Sequence, residues 1–237
     1  LVGNGFAFQM TFVATVVILL GVVDLPFSWI RQFRIEARYG FNRMTLALFC
    51  ADLVRHALLA VVIGAPVILA VLWLMEASGS LWWLWVWLFW SAFNLLILFI
   101  YPSWIAPLFN KFTPLGEGEM KSRIEALLPR CGFRSSGLFV MDGSKRSSHG
   151  NAYFTGFGRN KRIVFFDTLI ERLKHGEIEA VLAHELGHFR LHHVRKRLLV
   201  SLATSFAGLA ILGLLATWPV FFHALGVTTP SNHAALL

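Results

Sequence analysis

Residues 181–193 read VLAHELGHFRLHH, and three of them have the types and spacing needed to hold a metal and move a proton. On a helix, His184 and His188 are four apart and share one face, so both imidazoles can reach a single ion. Glu185 is offset by one position, beside the ion rather than on it. There it can take a proton from a water that the metal has made more acidic. Neutral imidazoles suit Zn²⁺, and a third ligand would still leave a fourth position open for water or substrate. The expectation is one Zn²⁺ on His184 and His188, with Glu185 as the catalytic general base.

The third ligand is informative by its absence. A metzincin would need Gly at 191 and His at 194, where this chain has Leu191 and Val194. On a continuous helix His192 would lie about 12 Å along the axis from His184, too far to share an ion with it. No Asp or Glu follows Glu185. Either the third ligand lies beyond Leu237, which is the expectation adopted, or an upstream group such as His149 or Asp142 folds in. A site-2 type protease would carry the motif inside a span. Here Arg190, His192, His193, Arg195, Lys196 and Arg197 follow too closely for the bilayer centre.

The elements that must position these residues are mostly apolar. The 237-residue chain is 57% hydrophobic and only 14% charged, a balance that points to a membrane protein. Four stretches reach the roughly 20 apolar residues a bilayer requires: about 6–23, 57–75, 81–104 and 198–222. Trp82, Trp83, Trp85 and Trp87 crowd one end of the third, as an interfacial aromatic belt does. Arg31, Arg34, Arg38, Arg43 and Arg55 lie between the first two spans. All the remaining Lys and Arg fall within 105–197. The positive-inside rule therefore places both of those loops in the cytoplasm and the 223–237 tail on the other side. The net charge of +8 is a topology signal. Without interleaved aromatics it does not describe a nucleic-acid surface. Cys50 and Cys131 lie far apart, predicting neither a disulfide framework nor a Cys-based zinc site.

The organisation expected is a membrane region over 1–104, a small α/β metallopeptidase domain over 105–197, and a fourth span. Within the domain, Glu117–Arg130 reads as an amphipathic helix stopped by Gly132. Gly137–Met141, Asn151–Thr155 and Arg162–Phe166 read as strands, with a polar loop at 143–150. Asp167 caps a helix to Lys174 that Gly176 ends, and Glu177 opens a long helix through the motif into the fourth span.

Several segments resemble the CAAX prenyl protease 1 family of membrane zinc endopeptidases: ARYGFNRMT at 37–45, YPSWIAPLFNKFTPL at 101–115, DGSKRSSHGNAYFTGFGRNKRIVFFDTL at 142–169 and EIEAVLAHELGHFRLHHVRK at 177–196. The resemblance implies a mainly helical polytopic fold with further membrane helices on either side of this sequence, around a chamber faced by the zinc site. It implies a zinc held by the two motif histidines and by a Glu on a later helix. It also implies a substrate-binding edge strand at Asn151, Ala152 and Tyr153, where a peptide adds itself as a strand. Eukaryotic members trim prenylated CAAX proteins. The glycine in SSHGNAYFTG and the wording of the motifs resemble bacterial forms, which implies the bacterial inner membrane and leaves the substrate open. A heat-shock-type membrane quality-control protease and a catalytically silent membrane scaffold are the alternatives. His193 matches a family histidine but reads as a helix-surface residue, and Asp52, Arg55 and His56 read as a headgroup-level entry turn to the second span.

Overall fold

The computed structural model describes residues 5–156, 161–224, 226, 227 and 234. Residues 157–160 of the third motif segment, and most of the tail expected at 223–237, lie outside that set. The chain divides into two compact units: Leu1–Trp29, Leu53–Asn94 and Leu199–Leu237 make one, and Ile30–Asp52 with Leu95–Leu198 makes the other.

Four helices, α1 (Phe6–Glu36), α2 (Leu46–Ala77), α3 (Gly79–Leu108) and α7 (His193–Leu215), are long and apolar enough to cross a membrane, and the first unit is built from their larger parts. Three stretches are wound wider, as π-helix: Arg31–Glu36, Ala60–Gly64 and Tyr101–Ile105. Pro102 in the last and Pro66 just after the second remove N–H donors from the ladder there, a recognised cause of such distortions. α3 and α7 meet through aromatic packing. Trp83 and Trp87 present edges to Phe206 at 5.5 and 5.1 Å, and Trp87 Nε1 donates to the Leu202 carbonyl at 3.1 Å. α7 stops at Leu215 rather than running on to Phe222. Thr217 donates its hydroxyl to the Leu214 carbonyl, and the residue before Pro219 is driven out of helical geometry. A short helix, α8 (Pro219–Ala224), follows.

The second unit holds a four-stranded sheet in the order β1-β2-β4-β3. Its strands are β1 (Phe112–Pro114), β2 (Leu138–Met141), β3 (Ala152–Thr155) and β4 (Arg162–Phe166). β2 and β4 run parallel, and the other pairs are antiparallel. The helices are α4 (Glu119–Arg130), α5 (Asp167–Arg172) and α6 (His175–Arg190). Ile163 and Phe165, two apart on β4, point to one face and pack in a single core with Ile124 of α4 and Ile178, Leu182 and Leu186 of α6. Those α6 positions recur every four residues, as a helix with one buried stripe requires.

Two expectations about helix ends are corrected. Gly176 does not end α5, which stops at Arg172; it lies in the first turn of α6, whose start is capped where Glu177 accepts the Lys174 amide at 2.7 Å. The helix carrying the motif does not continue into α7. It turns at Leu191 and His192, where His192 takes φ 56°. That left-handed conformation is uncommon outside glycine. The His192 amide donates to the Phe189 carbonyl, and the His192 carbonyl accepts from Lys196 in the first turn of α7.

Candidate metal centre and peptide-binding edge

Because α6 buries Ile178, Leu182 and Leu186, the residues between them turn outward. His184 is exposed, while Glu185 and His188 are half-buried. The His184 and His188 rings stand 4.9 Å apart at 89° to each other. Two nitrogens each about 2 Å from one ion are compatible with rings at that separation, so these imidazoles fit a shared metal.

The turn at His192 has a chemical consequence that a continuous helix would not have had. It brings His193 back, placing its Nδ1 2.7 Å from His188 Nδ1. With His188 Nδ1–H donating and His193 Nδ1 accepting, the lone pair of His188 Nε2 is left for an ion. Fixing the far nitrogen of a ligating histidine in this way sets its tautomer and ring orientation. The helix-surface reading of His193 is therefore replaced. The His-His doublet five residues past the motif was the available signal, but its meaning depended on a turn with no Gly or Pro to announce it.

Both upstream alternatives for a third ligand are committed elsewhere. His149 Nε2 lies 3.1 Å from Glu36 and its ring stacks on Phe41. Asp142 accepts from the Lys111 amide and from Lys145 Nζ. Among the described residues no three His, Cys, Asp or Glu side chains are grouped to hold a metal.

Among the described residues β3 is an edge strand, paired only on its β4 side. The Phe166 amide donates to the Asn151 carbonyl at 2.9 Å. By antiparallel alternation, the backbone groups of Ala152 and Phe154 then face the open edge. Asn151 is exposed, and its Oδ1 accepts the outward Ala152 amide at 2.9 Å. The Ala152 methyl is buried in the core, and Tyr153 is half-buried with its hydroxyl 3.9 Å from Met141 Sδ. Burial, with Tyr101 nearby, pushes the Tyr153 phenol above its ordinary range, so it stays protonated at neutral pH. A cavity of about 560 Å³ joins this edge to the motif, lined by Tyr153, Glu185, His188, His193, Lys196 and Arg197. Asp52 is buried and ion-paired with Arg146.

Two family models between them match nearly the whole chain. Residues 1–111 match "CAAX prenyl protease N-terminal, five membrane helices" and residues 114–231 match "Peptidase family M48". The chain is 44% identical over 191 residues to the CAAX prenyl protease 1 homolog of Arabidopsis thaliana, covering 80% of this chain and 45% of that protein. It is 46% identical to CAAX prenyl protease 1 of Saccharomyces cerevisiae, covering 73% and 38%. It is 34% identical to the human homolog, covering 92% and 54%. The crystal structure of S. mikatae Ste24p superposes with a TM-score of 0.86 at 37% identity, over 92% of this chain and 51% of that one. The chain thus spans about half the length of the relatives it matches. On both the membrane helices and the motif-bearing unit, it belongs to the CAAX prenyl protease 1 family.

Proposed function

We propose that the protein is a membrane-embedded, zinc-dependent endopeptidase. The observation that carries this is the placement of Glu185 and His188 in one cavity with Tyr153 of an open sheet edge. Family membership implies a metal cofactor, and the donor set, two imidazoles, suits Zn²⁺. His184 and His188 would hold it, with a third ligand supplied from outside residues 1–237. When bound, the metal polarises the scissile carbonyl and acidifies a water. The chain's own residues do the rest. The edge at Asn151, Ala152 and Tyr153 takes the peptide as an added strand, for which the Asn151 amide must release the Ala152 N–H. Glu185 accepts the proton from water and returns it to the leaving amine. His193 holds His188 in the required tautomer.

The substrates are peptides or proteins reached from a lipid bilayer. CAAX-protease-like processing is the reading favoured by relatives named CAAX prenyl protease 1, ahead of the heat-shock-type and scaffold alternatives. The span order proposed is three helices within 1–104, the metallopeptidase domain at 105–197 on the cytoplasmic side of a bacterial inner membrane, and a fourth span. That span begins near 198 and closes with α7 at Leu215.

Glu185→Gln tests the assignment in the full-length protein. Peptide cleavage should fall by about 10²–10⁴-fold, the usual contribution of a positioned general base, with metal content unchanged. Normal cleavage by that variant sinks the role given to Glu185. Loss of metal on His184→Ala checks the ligand half of the proposal.

A further inference from the structure

Two motif segments take no part in the chemistry above, ARYGFNRMT at 37–45 and most of DGSKRSSHG at 142–150. They lie against each other. Asn42 and Ser147 form an isolated antiparallel bridge. The Arg43 amide donates to the Arg146 carbonyl at 3.1 Å, and the Ser148 amide donates to Phe41 at 2.9 Å. Ser148 is buried, with its hydroxyl donating to the Gly40 carbonyl at 3.2 Å. The His149 ring stacks on Phe41 at 4.1 Å.

Arg146 locks this clasp. Its Nε and Nη2 reach both carboxylate oxygens of Asp52 at 2.7 and 2.9 Å, and its Nη1 donates to Asn110 Oδ1 at 2.8 Å. Three nitrogens engage two side chains in a fixed fork, a geometry that a lysine ammonium cannot reproduce. Asp52 is only 7% exposed, so its carboxylate is largely shielded from water, while Arg146 is half-buried.

The clasp ends where the peptide-binding edge begins. The His149 carbonyl accepts the Thr168 hydroxyl at 2.8 Å. A Cβ on Gly150 would meet the Leu169 Cα at 3.2 Å, so the backbone passes close there. Asn151 is already in the ladder with Phe166. Arg146, Ser147, Ser148, His149 and Asn151 are each held by hydrogen bonds and Gly150 is closely packed, so the clasp runs without a break into the edge.

We propose that Arg146 is a positioning residue for peptide capture. Held by Asp52 and Asn110, it fixes the 37–45/142–150 clasp and through it the place of the β3 edge, without touching substrate. This rests on the peptide-binding role proposed above for β3.

The test uses the full-length enzyme in detergent, with Arg146→Gln and Arg146→Lys. KM for peptide should rise about tenfold or more in Arg146→Gln and less in Arg146→Lys, while kcat and metal per chain stay within about twofold of wild type. Because Asp52 and Arg146 act as a unit, Asp52→Asn combined with Arg146→Gln should raise KM no further than Arg146→Gln alone. Hydrogen exchange of the 151–155 amides should speed up in Arg146→Gln, which reads the clasp without any catalysis. An unchanged KM and unchanged exchange would overturn the proposal. So would a joint, proportionate fall in kcat, metal content and substrate affinity, the mark of general unfolding. If Arg146→Gln does not fold, Arg146→Lys carries the test, with a smaller rise in KM and a smaller gain in exchange in the same direction. Should the wild type cut no peptide at all, the peptidase reading has failed, and exchange at 151–155 still decides the clasp.

Discussion

The two units of this chain use the same apolar side chains in opposite ways. In the α/β unit, Ile163, Phe165, Leu182 and Leu186 are at most 1% exposed, and the polar residues beside them face outward. In the helical unit, Leu20, Val62, Val200 and Leu214 are all about two-thirds exposed. A soluble protein does not display such continuous apolar surface. The sheet and its helices in the second unit are organised against water by burying their hydrophobes. The first relies on lipid to cover them, and its helices are held together by close contacts because lipid tails are as apolar as leucine.

The comparison predicts unequal costs for similar truncations. Phe165→Ala should destabilise the α/β unit by about 3–5 kcal/mol, through lost burial and the cavity left behind. Leu20→Ala, on the exposed face of α1, should cost about 0.5 kcal/mol or less. Denaturation in detergent, followed by amide exchange resolved to each unit, measures both. Equal losses at the two sites would break the distinction.

A second consequence concerns what does matter among the long helices. A Cβ on Gly213 would collide with Trp83 Cδ1 and lie 3.0 Å from Trp83 Cβ, so the indole root itself would have to move. Gly213→Ala adds one methyl group and should cost about 1–3 kcal/mol, as overpacking of a tight contact does. It should also loosen the Trp87–Leu202 hydrogen bond between α3 and α7. Faster exchange in α7 and a shifted Trp fluorescence would register it. A neutral result would mean that close approach of small residues is not what joins these helices.

The same contrast explains what was legible in the sequence. The long helices declared themselves through run length and the missing charges between Ala77 and Asn110, because a bilayer sets both. β4 was readable from Arg162 to Phe166 because its Ile, Val and Phe run is bounded by polar residues. HExxH is a local pattern whose meaning needs only a helix. Everything missed was non-local or lacked a marker. β1 is three residues ending in Pro114, and exists only because Met141, Val140 and Phe139 pair with it. Asp52 meets Arg146 across 94 residues of chain. The turn at His192 uses a histidine in a glycine-like conformation, and a run of helix-compatible residues on either side hid it.

That turn lies shortly before the chain passes from one unit to the other, and the effect it predicts is on metal affinity, with the least on stability. His193 begins α7, but the chain passes into the helical unit only after Leu198. The first turn of α7 therefore belongs to the water-side unit and to its polar contacts. His193→Ala removes the partner of His188 Nδ1 and frees the ring to take the wrong tautomer. Metal affinity should fall by about 10–100-fold, the usual cost of losing such a support, equal to about 1.4–2.7 kcal/mol. Unit stability should barely change, because His193 is not part of the buried core. His193→Asn keeps a short side chain that can donate or accept, and should recover part of the loss. Competition with a calibrated chelator, run on the full-length protein beside wild type, reads all three forms. If His193→Ala binds metal as tightly as wild type, the contact is mere packing.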